Sequence, residues 1–203
     1  MDMLDFFTEA FGGYRGILWS GGTRQVADGK VDPMVTDVPG VIAAANQGCV
    51  ALGTLPRTDM LSLQEDSRLV LDEWGTVPNP DMLGILIVQN GPDGQMGWNG
   101  DLDAYFALMK NWQVYAGFTA LGLCSWNGGD ITGDEIMRAI GCQWPVFLVK
   151  GSGRVTDEII AKWMDEDAAF LSKLPKNYDN IYVIDRDAPA RLNAALYREG
   201  FMG

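Results

Sequence analysis

The chain has 203 residues, 47% of them hydrophobic and 10% aromatic, enough apolar material to bury a substantial core, so it reads as a single domain over 1–203. A formal charge of −12 and a pI near 4.3 argue against nucleic acid or anionic membrane as partners, since either demands a Lys/Arg-rich face. Histidine is absent, which removes the Ser-His-Asp triad and His-rich metal sites and leaves catalysis to carboxylates, Tyr, Lys, Arg or backbone.

In chain order, Met3 to Phe11 places Leu4, Phe7 and Phe11 at helical spacing before Gly12-Gly13, and Tyr14 to Trp19 then reads as a buried strand. After the turn Ser20-Gly21-Gly22-Thr23, Arg24 to Asp37 is polar and irregular. Val38 to Gln47 predicts a helix, with Pro39 in its first turn and Gly48 ending it. Cys49 to Leu55 predicts a second strand, broken by a loop at 56–58. The segment 59–82 gives no clear period, although 75–80 suits a loop. Leu83 to Val88 predicts a strand, and Gln89 to Gly100 is a Gly/Asn-rich loop. Asp101 caps a helix running to Trp112, with Leu102, Tyr105, Phe106 and Met109 on one face. Strand, glycine turn and helix recur at 116–142 and at 145–173, where Val155, Ile159, Ile160, Trp163 and Met164 form the inward stripe. Tyr178 to Ile184 is the last strand and Ala188 to Gly200 the last helix. Strands that are apolar at nearly every position, alternating with helices, predict an α/β fold: a Rossmann-like three-layer αβα sandwich around a mostly parallel sheet.

Cys49, Cys124 and Cys142 are odd in number and embedded in apolar surroundings, which fits buried free thiols and neither disulfides nor a metal site. No apolar stretch approaches the ~20 residues of a membrane span, and the N-terminus lacks the positive region of a signal peptide, so cytoplasm is the default expectation.

The chemistry concentrates in three glycine turns that follow strands: Ser20-Gly21-Gly22-Thr23, Asn127-Gly128-Gly129-Asp130 and Gly151-Ser152-Gly153-Arg154. Such turns let backbone approach a ligand, and the amides of the next helix point at an anion, phosphate above all. In an open parallel sheet all strands end at one edge, so the three loops are expected to converge on one nucleotide-sized crevice. Gly151, Ser152, Gly153 and Arg154 supply small residues, a hydroxyl and a guanidinium to a phosphate. Arg24 adds a second positive group to the first turn. Thr132 and Glu135 have the spacing of a capping box, which accounts for both side chains. Alternatively, Glu135 reaches a ligand sugar, as acceptor or base. Trp98, Trp126 and Trp144 lie in or near these loops, either as core or as stacking platforms for a base.

Read together, these segments resemble the SLOG superfamily. This Rossmann-like group includes LONELY GUY-type phosphoribohydrolases, lysine-decarboxylase-like proteins and the N-terminal cytosolic domains of melastatin-type channels. The resemblance starts at Ser20-Gly21-Gly22-Thr23, continues through Pro39-Gly40-Val41-Ile42-Ala43-Ala44-Ala45 and Gly53-Thr54-Leu55-Pro56, and covers most of the chain to about 165. Leu148-Val149-Lys150-Gly151-Ser152-Gly153-Arg154 with Asp157 is most similar to the channel-type and prokaryotic stand-alone branch, which implies a ligand related to ADP-ribose. The hydrolase pattern P-G-G-x-G-T-x-x-E aligns with Asn127 to Glu135. Its Glu is kept, Asn127 and Ile131 replace a proline and a glycine, and its upstream Arg has no counterpart. A helix, not the family's usual first strand, opens the chain.

The resemblance implies a small phosphorylated nucleotide held by Ser20, Gly21, Gly22, Thr23, Gly40, Gly128, Gly129, Asp130, Thr132, Gly151, Ser152, Gly153 and Arg154. No further cofactor is required, and a homodimer is in keeping with related folds. Two other readings stand beside this one: hydrolysis of a nucleotide N-glycosidic bond with Glu135 as the catalytic carboxylate, and an assembly module whose crevice is vestigial.

Overall fold

A computed structural model describes residues 1–203 apart from 28–29, 57–61, 64–68, 71–75, 89–97 and 116–119, and describes the backbone alone at 27, 30–32, 56, 62–63, 69–70 and 98–101. In chain order the elements are α1 (Met3–Ala10), β1 (Gly16–Gly21), β2 (Thr23–Ala27), β3 (Lys30–Asp32), a 3-10 turn (Val35–Asp37), α2 (Val38–Ala45), β4 (Cys49–Pro56), β5 (Ser62–Leu63), β6 (Leu69–Val70), β7 (Thr76–Pro78) and β8 (Gly84–Val88). They continue with α3 (Trp98–Tyr115), β9 (Leu123–Ser125), α4 (Asp130–Gly141), β10 (Val146–Lys150), α5 (Arg154–Met164), α6 (Ala168–Leu171), β11 (Ile181–Asp185) and α7 (Pro189–Arg198). The expected α/β class is the observed one, with parallel sheets flanked by helices.

The chain divides into two compact units, one of residues 11–108 and one of residues 1–10 with 109–203, the division falling inside α3. In the first, β1 and β8 flank β4, all three parallel. Helix α2 connects β1 to β4 and packs on both. In the second, β9, β10 and β11 are parallel, with β10 central. Val146 to Val149 are buried without alternation, as expected of a strand covered on both faces.

Side-chain direction separates the layers of this second unit. Leu148 lies opposite Ser125 in the strand register, and the Ser125 hydroxyl meets that of Thr156 on α5 at 2.8 Å, so this face belongs to α5. Phe147 points the other way, stacking on Tyr182 at 5.1 Å and meeting Phe201 edge-on. The Tyr182 hydroxyl bonds Glu199 at the end of α7, so α7 covers that second face. Helix α1 packs on α7, and Asn193 Nδ2 donates to the Ala10 carbonyl at 2.9 Å.

Several local expectations give way to tertiary contacts. Arg24 to Asp37 holds β2 and β3, which form an antiparallel sheet with β7. β2 and β3 pair locally, Ala27 opposite Lys30, but β2 finds its other partner, β7, about fifty positions on, and such short polar strands carry little local apolar period. Helix α1 buries Phe6, Phe7 and Ala10, while Leu4 is half-exposed, because Phe6 and Phe7 both reach Trp126. On α5, Ile159 and Ile160 are buried but Met164 is exposed, and the fully buried position on that face is Thr156. Helix α3 begins before Asp101 and runs past Trp112. The expected loop over 89–97 and the unassigned stretches 57–61, 64–68 and 71–75 lie outside the described residues. Among the described residues, no helix is long and apolar enough to cross a membrane. The three cysteines are unpaired and half-buried.

Candidate functional site

The second and third glycine turns meet, because β9 and β10 are parallel neighbours whose chains leave the sheet at the same edge. Asn127 joins them. Its N–H donates to Ser152 Oγ at 2.8 Å, and its carbonyl accepts from the Thr156 amide at 3.3 Å and from the Thr156 hydroxyl. Thr156 and Ser125 are both buried, so a line of hydroxyls runs from the end of β9 through α5 to this turn. Two interior polar groups thereby satisfy each other.

Asn127 and Gly128 take left-handed backbone at φ 60° and 86°, which turns the chain from β9 into α4. Gly128 also carries Thr132 above it. A Cβ there would stand 2.3 Å from Thr132 Oγ1, so no larger residue fits. Helix α4 begins at Asp130, with Gly129 as its cap residue and no side-chain cap. Thr132 is therefore the third helical residue and Glu135 belongs to the second turn, so the expected capping box does not form. The helix starts too early for Thr132 to cap it.

Four backbone amides at this end, those of Gly129, Asp130, Ile131 and Thr132, have no hydrogen-bond partner among the described residues. They are the donors that any helix start leaves over, and they carry the positive end of the helix dipole. Arg154 stands beside them: its Nη2 lies 3.1 Å from where a Cβ on Gly129 would be. Arg154 is exposed, has φ 49° and forms no ion pair among the described residues. Asn127 Oδ1 is buried nearby, also without a partner among the described residues.

The third turn is built differently. Gly151 and Gly153 adopt φ 81° and 103°, and both amides donate to Asp157, Gly151 N to Oδ1 and Gly153 N to Oδ2, at 2.8 Å each. Ser152 Oγ accepts from Asn127, as above, and Ser152 N faces the Val149 carbonyl at 3.4 Å. On the outer side, Arg186 donates to the Gly151 carbonyl at 3.1 Å and to that of Met1 at 2.8 Å, with its guanidinium 5.8 Å from the Trp126 ring centre. A depression of about 360 Å³ runs along α5, lined by Lys150, Gly151, Asp157, Ile160, Ala161, Met164 and Asp165. The α4 amides and Arg154 are not part of it; Asp130, Ile131 and Arg154 are exposed at this edge of the sheet.

The first turn lies in the unit of residues 11–108. It leads into β2 and not into a helix. Gly22 N donates to the Thr54 carbonyl, and the Gly22 carbonyl accepts from Asn79 N. Gly22 crosses β4 at Gly53, where a Cβ would stand 2.6 Å from Gly22 Cα. Ser20 Oγ is within bonding distance of the Gly21 and Thr36 carbonyls, at 3.1 and 3.3 Å, and Thr23 is buried. Gly40 lets Asp81 approach α2, its own Cβ position being 2.6 Å from Asp81 Cβ. Arg24 is engaged by Asp37 at 2.6 Å and by Asp81.

Trp126 and Trp144 are both buried, as core aromatics are, and the Trp98 side chain lies outside the described residues. Two positions organise this edge whose structural roles the sequence left unassigned: Asp157, present only as part of the motif at 148–157, and Thr156. An acid in the first turn of a helix that follows a glycine loop is a capping signal, and Asp157 bears it. Thr156 has no such signal, since its role depends on Ser125, 31 positions earlier.

Among curated proteins, none matches the chain. A family model does match, over residues 84–194, a stretch that includes both meeting turns, α4, α5 and Asp157, while the segments at 20–23, 39–45 and 53–56 precede it. Spanning more than half of the 203 residues, that match shows that the chain belongs to the family described as SLOG in TRPM, prokaryote, a group of nucleotide-related, Rossmann-like domains.

Proposed function

We propose that this chain binds a small phosphorylated nucleoside, ADP-ribose or a relative, with a phosphate at the start of α4 and Arg154 as its counter-charge. The observation that supports this is the pairing of four unengaged amides with a guanidinium that has no carboxylate partner among the described residues. Helix starts of this kind receive phosphate through their N–H groups and dipole, and an arginine adds charge-assisted hydrogen bonds. In a chain of net charge −12, a phosphate needs such a local cation. Family membership points to the same ligand class.

Calorimetry with ADP-ribose, NAD, AMP and cyclic nucleotides tests the reading. At least one of them binds, and Arg154→Ala weakens that binding by about tenfold, the equivalent of one charge-assisted hydrogen bond. Its thermal stability stays unchanged, because the side chain is exposed. No heat with any of these ligands overturns the proposal. Incubation with AMP and NAD separates binding from turnover: release of free base that Glu135→Ala abolishes would replace this reading by N-glycosidic hydrolysis.

A further inference from the structure

We infer that Asp157 is the resident anion of the Gly151–Gly153 loop and keeps a ligand's phosphate out of it, directing that phosphate to the α4 side of the edge. The inference rests on the proposed nucleotide reading and adds to it which of two neighbouring turns does the gripping. Both turns follow parallel strands, both hold glycines in left-handed backbone, and both precede a helix of more than ten residues. By motif alone the loop at 151–153 is the better phosphate cradle, having two glycines, a serine and an arginine.

The geometry reverses that order. Each oxygen of the Asp157 carboxylate takes one glycine amide, at 2.8 Å in both cases, so the two N–H groups that φ 81° and 103° bring together already surround a negative charge. The remaining loop amide, Ser152 N, faces the Val149 carbonyl, and the Ser152 hydroxyl oxygen accepts from Asn127. A phosphate entering here would have to expel a carboxylate and then sit beside it, an arrangement that like-charge repulsion opposes. At α4 no such occupant exists among the described residues, and the Arg154 side chain, which starts from the loop, extends away from it toward Gly129. Asp157 thus separates the two contributions of this loop. Its backbone is closed by an internal anion, and its arginine is delivered to the neighbouring turn.

The test is a titration of the 15N-labelled protein with inorganic phosphate, followed by amide chemical shifts, in wild type and in Asp157→Asn. In wild type, the Gly151 and Gly153 amides stay in place at phosphate concentrations that move those of Gly129 to Thr132. In Asp157→Asn, which keeps one accepting oxygen but loses the charge, Gly151 and Gly153 respond, and phosphate binds about tenfold more tightly or better. Saturable shifts of Gly151 and Gly153 in wild type overturn the inference, and that readout does not require the variant to fold. A folded variant whose loop amides remain indifferent and whose affinity is unchanged overturns it too. A parallel titration with ADP-ribose and AMP keeps the two ideas apart: nucleotides that move no amide sink the nucleotide reading, while the phosphate comparison still decides the role of Asp157.

Discussion

Arg24 shows how far a residue's role depends on what it meets. Its place one step after a glycine turn made it a positive group for a ligand, and in the folded chain its guanidinium joins Asp37 to Asp81. Asp37 has a side chain 3% exposed, whereas Asp81 is 50% exposed, so the two carboxylates are unequal partners. Asn79, itself buried, donates a further bond to Asp37 at 3.2 Å. Removing the guanidinium leaves a buried carboxylate without its counter-charge, so Arg24→Ala should cost about 3–5 kcal/mol. Asp81→Ala breaks the exposed half of the network and should cost about 1 kcal/mol or less. Urea unfolding measures both, and equal losses would refute the asymmetry. None of this is legible in the sequence, because Arg24, Asp37 and Asp81 are scattered over more than fifty positions and only the meeting of β2, α2 and the loop after β7 assembles them.

At the scale of elements, the glycines divide into those that turn the chain and those that let segments touch. Gly128, Gly151 and Gly153 turn it, with φ in the left-handed region. Gly22, Gly40 and Gly53 serve close approach. A methyl group on Gly53 would stand 2.6 Å from Gly22 Cα and 3.0 Å from its nitrogen, both backbone atoms that cannot swing aside. Gly53→Ala should therefore destabilise by about 1–3 kcal/mol, as overpacking does. Gly141, at the end of α4, has no atom of the described residues within 4 Å of its Cβ position. Gly141→Ala should be neutral or stabilising by up to about 1 kcal/mol. Chemical denaturation of the pair decides the matter, and a neutral Gly53→Ala would show that β1, β2 and β4 do not cross as tightly as described. The strand and helix positions of β1, α2, β4, β8, β10 and α7 are readable locally, since each has its own apolar period or a Pro or Gly stop. The sheet of β2, β3 and β7 is not, because its strands are short and polar and its β2–β7 pairing joins positions more than forty residues apart.

Across the whole molecule, burial of groups that are neutral at pH 7 sets an alkaline limit. Burial pushes the Tyr14 phenol from 10.0 up to about 12 and the Cys124 thiol from 9.0 up to about 12, and it raises Tyr178 as well. Each group holds its proton more tightly folded than unfolded. Their contribution to stability is therefore complete below the unfolded values and is lost as pH rises from the unfolded toward the folded values. Melting temperatures should be flat up to about pH 8.5 and then fall steadily toward about pH 11. The fall between 9 and 11 should be shallower in Cys124→Ala, and an unchanged melting temperature over that interval would contradict the burial of these groups. Tyr14 belongs to the first unit and Cys124 and Tyr178 to the second, so both units feel the limit.

The amino-acid order alone determined the α/β class, the absence of histidine chemistry, the positions of most strands and helices, and the family to which the chain belongs. These follow from local properties: apolar period, glycine and proline placement, and short motifs around 127–135 and 148–157. Tertiary structure alone decided which turn keeps its amides open, that Asp157 closes the other, that Thr132 lies within its helix and does not cap it, and that Gly22 and Gly53 exist for contact with each other. The reason is physical. A period of 2 or 3.6 is written in neighbouring residues, whereas a hydrogen-bond partner is chosen by strand register and helix packing that join positions far apart in the chain.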